Sequence, residues 1–134
     1  NLERANLERA ELLGANLRGS KLNRANFERS DLQYSDLRDT NLKEASFVEA
    51  NLQGANLQGA DLRGGFLTQA NLFGANLRDT DLFGVFLHDS DLRHAHLAGA
   101  NLQGALYNDN TRFPEGFNPL GRGMDLMNNP GRLG

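Results

Sequence analysis

Residues 50–64 read Ala50-Asn51-Leu52-Gln53-Gly54-Ala55-Asn56-Leu57-Gln58-Gly59-Ala60-Asp61-Leu62-Arg63-Gly64. The stretch is three copies of one unit: a small residue, Asn or Asp, Leu, then two variable positions. Followed outward in both directions, the register never slips. Every fifth position from 2 to 102 is Leu, except Phe27 and Phe47, which makes 21 matches in 21 positions. The residue before it is Asn or Asp in 15 of those 21 repeats. The residue before that is nearly always small, as at Ala10, Ser20, Ser30, Thr40 and Ala100.

A step of five suits neither regular element. On a helix it advances about 140°, which spreads the leucines around the whole cylinder. On a flat strand an odd step sends successive leucines to opposite faces. A chain that aims every Leu the same way turns a corner once per repeat and winds into a solenoid with the leucines inside. The corners have matching chemistry. Nine repeats read Leu-x-Gly before the next small residue, as in Leu52-Gln53-Gly54-Ala55. Gly at the third turn position supplies the positive φ of a type II turn. Repeats without it, such as Leu37-Arg38-Asp39-Thr40, are expected to use a turn without that demand, type I. The Asn and Asp side chains are expected to bond nearby backbone groups at the bends.

The exceptions to the pattern set the size of a coil. The Asn/Asp position is replaced at Glu11, Lys21, Ser46, Phe66, Phe86 and His96. Ser46, Phe66 and Phe86 are spaced by 20, and Leu106 continues the series. Gly also avoids the column Arg9, Arg29, Glu49, Gln69, Asp89. Both patterns point to four repeats per coil and a square cross-section.

These A-[DN]-L-x-x units resemble the pentapeptide repeat family of cyanobacterial type, without a break over 1–105. The resemblance implies an all-β fold: a right-handed quadrilateral parallel β-helix of about five coils, roughly 25 Å long at the usual strand spacing. The segment 106–134 holds all three Pro and both Met, and is not expected to continue the repeat. Its run from Ala105 through Pro119 resembles the C-terminal segment of cyanobacterial members. A solenoid end exposes core side chains and unpaired backbone. Tyr107, Phe113, Pro114 and Phe117 are therefore expected to form a C-terminal cap, and the last residues, 128–134, to be flexible. Asn1 begins mid-repeat without Met, which reads as a processed or trimmed product or a piece of a longer protein.

Composition excludes several functions. The 134 residues contain no Cys, so there is no disulfide framework, thiolate nucleophile or cysteine zinc site. That absence fits cytoplasm, periplasm and thylakoid lumen alike, so localisation stays open. The net charge of −3 is no footprint of a nucleic-acid binder. No run of about 18 apolar residues reads as a membrane span. There is no phosphate-binding loop and no nucleophile elbow. The His94-x-His96 pair lies near Asp89 and Asp91, but the register sends His88, His94 and His96 outward on different faces. Asp39, Asp61, Asp79 and Asp81 fall along one edge and read as solvated turn residues. Catalytic, cofactor and metal sites are accordingly expected to be absent.

What remains is the column of replaced Asn/Asp. Ser46, Phe66, Phe86 and Leu106, with Val48 and Thr68 on the same face, form an apolar stripe on a polar wall. Exposed contiguous apolar patches mark interaction sites. Three occupants compete: the tail, through Phe113 or Phe117; a second copy, meeting through a face or a solenoid end; or another protein. The expectation is a non-catalytic scaffold that binds a protein partner, with neither nucleic acid nor membrane as partner. Acidic members of the resembled family act as quinolone-resistance factors that mimic DNA and bind gyrase, which supplies the alternative. Against it, the 14 acidic residues of 1–105 are met by 11 basic ones, with Arg18, Arg38 and Arg78 in one column.

Overall fold

The structure is a computed structural model that describes residues 1–127. Parallel backbone bridges join each outward position to the one 20 residues on, from Asn6 with Asn26 to Phe86 with Leu106. Twenty residues are four repeats, so every coil has four sides and the chain forms a right-handed quadrilateral β-helix. Most repeats contribute the same bonds. Around Phe47, the Phe47 N–H donates to the Phe66 carbonyl at 2.7 Å, the Glu49 N–H to the Thr68 carbonyl at 3.0 Å, and the Phe66 N–H to the Ala45 carbonyl at 3.0 Å. The Ala50 N–H closes the corner on the Phe47 carbonyl at 2.9 Å. The ladder thus continues through the corners as well as along the sides, and leaves few backbone groups without a partner.

The corner geometry corrects one expectation. All 21 repeats, with Gly or without, place the third turn residue at positive φ. Twelve of these are not glycine, including Arg24 at 61°, Asp39 at 57° and Glu44 at 56°. The second turn residue is never at positive φ, so the turns without Gly follow the type II pattern, not type I. The cause is the stack itself. Below the last coil the corner N–H reaches the carbonyl of the next coil, as Glu44 does to Arg63 at 2.9 Å, and the corners of the last coil keep the same conformation although Asp89, His94 and Gly99 lack that bond. That ladder bond and the packed neighbours hold residues that a free chain would keep out of the left-handed region.

The Asn/Asp position has one role throughout. In all fifteen repeats that carry it, the side-chain Oδ1 accepts the N–H two residues on, as Asn51 does from Gln53 at 3.1 Å and Asp91 from Arg93 at 3.0 Å. This Asx turn starts each corner.

Leu22 through Leu102 lie inside, most with no exposure at all, and Phe27 and Phe47 stack in adjacent coils at 4.8 Å. Burying one such side chain contributes roughly 1.5–3 kcal/mol. In the first coil Leu7, Leu12 and Leu17 are half-buried and Leu2 is exposed.

After residue 105 the five-residue step ends but the ladder does not. β1 (Leu106–Tyr107) pairs with β2 (Asp125–Leu126), parallel, at a step of 19, and Arg112 bridges Asp91 at a step of 21. Between them Leu120–Arg122 form one 3-10 turn, closed by Gly123 at φ 81°. The Arg122 guanidinium donates to the Leu97 and Ala100 carbonyls at 3.2 and 3.1 Å and lies over the Phe117 ring. Residues 128–134, expected to be flexible, lie outside the described residues.

Candidate interaction face

The stripe residues share one side of the solenoid. The Phe66 ring stacks on Phe86 at 5.1 Å with the planes 2° apart, and Phe66 is 41% exposed. Ser46, Val48, Thr68, Phe86 and Leu106 are half-buried around it. Ser46 donates its hydroxyl to Glu28 Oε1 at 3.2 Å, which ties the lower end of the column to the coil beneath. At the upper end Leu106 pairs with Asp125, so the apolar column stops at an acid.

Beside the rings lies a groove of about 540 Å³ lined by Phe66, Thr68, Phe86, His88, Asp89, Asn108 and Asn110. His88 is 8% exposed, against the expectation of an outward side chain. Its imidazole lies 6.4 Å from the Phe86 ring at 24°, in the same column as Thr68 of the coil below and Asn108 of the segment above. Its Nε2 is buried without a hydrogen-bond partner. Asp89 sits at the corner with φ 59°. Its Oδ1 accepts from Asn108 Nδ2 at 2.9 Å and Asn110 Nδ2 at 3.0 Å, and its own N–H donates to Asn108 Oδ1 at 3.0 Å. The bonds from Asn108 and then Asn110 hold the Asp89 carboxyl below its usual range, so it stays ionised near neutral pH.

The three tail aromatics and Pro114 are placed elsewhere. Tyr107 is buried in the core, Phe113 meets it edge-on at 5.4 Å, and Phe117 stacks on Phe113 at 5.0 Å. Phe113 and Phe117 pack against the core at the C-terminal end and line no part of the Phe66–Phe86 groove. Pro114 borders a separate hollow of about 340 Å³ with Arg93, His94, Phe113 and Glu115. Besides Leu106 and its partner Asp125, the described tail reaches the groove through Asn108 and Asn110. Sequence reasoning missed Asp89, Asn108 and Asn110 as groove residues. The spacing of 20 between His88 and Asn108 was the available signal.

The remaining faces carry balanced charge. Arg24 pairs with Glu44 at 3.2 Å and Arg29 with Glu49 at 3.2 Å, one coil apart. Arg38, Arg63 and Arg93 fork onto Asp36, Asp61 and Asp91 two residues before them, at 2.7, 2.7 and 2.8 Å. Asp36 is thereby lowered to about 2. His94 meets Phe73 edge-on at 5.0 Å, while His96 faces Arg78, so the two do not converge on a common point. Among the described residues no cluster of His, Cys, Asp or Glu is placed to hold a metal ion, and no helix is long and apolar enough to cross a membrane.

Solved structures similar to this one share its architecture. A pentapeptide repeat protein from Nostoc PCC 7120 is 41% identical, covers 76% of this chain and 84% of its own, and superposes with a TM-score of 0.75. A pentapeptide repeat protein from the Arabidopsis thaliana thylakoid lumen is 31% identical over 69% of this chain and 68% of its own, with a TM-score of 0.59. No curated protein matches significantly. The pentapeptide repeats family model matches eight copies, in overlapping segments 1–36, 10–47, 25–64, 50–89 and 70–106. With its unbroken repeat, four-sided coil and these matches, the chain belongs to the pentapeptide repeat family.

Proposed function

We propose that this protein is a non-catalytic scaffold that binds another protein through the face of Ser46, Val48, Phe66, Thr68, Phe86 and Leu106. The observation that carries the reading is the exposed Phe66 ring stacked on Phe86 beside an open groove. In fifteen of the 21 repeats that position holds a polar Asn or Asp whose side chain serves its own corner, and Glu11, Lys21 and His96 keep it polar in three more. An aromatic pair there serves no corner and exposes apolar area, which is the signature of a contact surface. In the same reading 1–105 is the rigid body that presents the face. The segment 106–134 closes its end, with Tyr107, Phe113, Pro114 and Phe117 shielding the last coil.

DNA mimicry fits less well. A mimic needs a continuous row of unpaired carboxylates. Here Arg24, Arg29, Arg38, Arg63 and Arg93 neutralise the carboxylates coil by coil.

The test is affinity capture from the native cell with wild-type protein and with the double variant Phe66→Asp/Phe86→Asp, each first shown to be folded. The reading expects proteins retained by wild type and lost by the variant. An identical set of retained proteins overturns it.

A further inference from the structure

The stripe lacks something besides polarity. In each of the fifteen Asn/Asp repeats, a side-chain oxygen accepts the N–H two residues on. At Phe66 and Phe86 no such oxygen exists, and Ser46 turns its hydroxyl to Glu28. On this face the N–H groups left uncapped belong to Thr68, His88 and Val48, whereas those after Glu11, Lys21 and His96, at Leu13, Asn23 and Ala98, stand singly in other columns. None of the described residues accepts a hydrogen bond from the N–H of Thr68, His88 or Val48. These three stand on one face in three successive coils, about 4.8 Å apart along the axis. Thr68 and His88 line the groove, and the unpartnered Nε2 of His88 lies beside them.

An unmet backbone donor beside an apolar surface wants an acceptor that a greasy ligand brings with it. The local charge restricts which acceptor. Asp89 is ionised at one edge of the groove, and the corner column above Arg29 reads Glu49, Gln69, Asp89, without Lys or Arg. An anionic acceptor meets repulsion there, whereas a neutral amide oxygen does not. A second copy of the same face is a poor occupant, because it offers rings where oxygens are needed and sets Asp89 near its own counterpart.

We propose that the Phe66–Phe86 groove takes an apolar segment of a different protein whose neutral amide oxygens, from backbone or from Asn/Gln side chains, cap the N–H groups of Val48, Thr68 and His88. The partner thus supplies the oxygen that every Asn/Asp repeat supplies for itself. This rests on the reading of the stripe as a protein-binding face, and it specifies the chemistry of what binds there.

The test is an amide-detected NMR titration of the full chain with N-acetyl-phenylalaninamide, which carries an apolar ring and two amide oxygens. The expected result is a downfield shift of the Thr68 and His88 amide protons. Ethylbenzene, which has no acceptor, is expected to leave those protons unmoved. N-acetyl-phenylalanine, with its carboxylate, is expected to bind about threefold more weakly, within the range of an exposed charge contact. Asp89→Asn is expected to remove that difference. The variant Phe66→Asn/Phe86→Asn restores the family's own caps. Its Thr68 and His88 amide protons are expected downfield without any ligand, near those of the capped Gln58 and Arg78, and the probe is expected not to bind. The proposal is overturned if the amide probe moves neither proton at about 5 mM, a concentration that registers millimolar contacts. It is also overturned if ethylbenzene moves them equally, or if the carboxylate binds more tightly. If it falls while Phe66→Asp/Phe86→Asp still loses cellular partners, the face binds proteins by other chemistry. If the Asp variant keeps every partner, the protein-binding reading itself has failed.

Discussion

Phe66 lies on Phe86 outside the solenoid with the same geometry that Phe27 and Phe47 adopt inside it: ring centroids 5.1 Å apart against 4.8 Å, and planes within 2° in both. The coil spacing dictates both stacks, since any two rings one coil apart in one column must lie parallel. Their energetic consequences differ because only the inner pair is buried. Phe47→Ala removes a fully buried ring and is expected to destabilise the fold by about 3–5 kcal/mol. Phe66→Ala removes a ring that is 41% exposed, and is expected to shift stability much less, by about 1 kcal/mol or under. Urea unfolding of the two variants checks the contrast, and equal losses contradict it.

Leu57 has no exposed surface and is enclosed by leucines of the coils on both sides. A carboxylate placed there has neither water nor a cation to answer it. Leu57→Asp is accordingly expected to abolish the folded circular dichroism spectrum, while Phe66→Asp with Phe86→Asp keeps it. A native spectrum for Leu57→Asp contradicts the inward register.

Much of this was legible in the sequence because the repeat constrains one residue at a time. Leu at a step of five fixed what faces inward, and the 20-residue spacing of Ser46, Phe66 and Phe86 fixed the four-sided coil. The corners were not legible. Arg24, Glu44 and Gln69 carry side chains that disfavour positive φ in isolation, and it is the stacked coil, with its ladder bonds and packed neighbours, that holds them there. His88 was misread for a similar reason. Its burial depends on Phe86 beside it and on Asn108 of the tail, and the tail has no repeat from which to count. The groove is thus formed where the periodic part of the chain meets the aperiodic part, which is where pattern reasoning stops.

The strained corners lead to a stabilising substitution. Gln69 stands at φ 59°, its N–H bonded to the His88 carbonyl at 2.9 Å. Holding a residue with a Cβ there costs about 1–2 kcal/mol. Glycine removes that strain but gains freedom in the unfolded chain, which offsets about 0.5–1 kcal/mol. Gln69→Gly is expected to raise stability by roughly 0.5–1 kcal/mol, and so to raise Tm by about 2–4 °C. Gln69→Ala keeps the Cβ and is expected to gain nothing. Calorimetry of both variants checks it, and equal Tm values rule out the corner as the source of strain.

Acid should unfold the protein through its forked carboxylates. Arg38 donates Nε to Asp36 Oδ1 at 2.9 Å and its other nitrogen to Oδ2 at 2.7 Å, and the Arg38 backbone N–H adds a third bond at 3.2 Å. The guanidinium bond is the main cause that lowers Asp36 from 3.8 to about 2. A carboxyl lowered on folding stabilises the folded chain fully above its unfolded value and loses that contribution as pH falls toward its folded value. For Asp36 the loss therefore runs from about pH 4 down to about pH 2. Asp61 and Asp91 are lowered for the same first reason, by Arg63 and Arg93, and lose their contributions in the same direction. In Arg38→Gln the charged fork is gone and only the backbone bond remains. The Asp36 carboxyl is then expected to titrate closer to its ordinary value, and the midpoint of acid unfolding to move to higher pH, with little change in stability differences above pH 7 beyond the lost ion pair. Carboxyl-carbon NMR titration measures the first and circular dichroism against pH the second. An unmoved Asp36 titration in the variant means that the guanidinium fork is not what holds this carboxyl ionised.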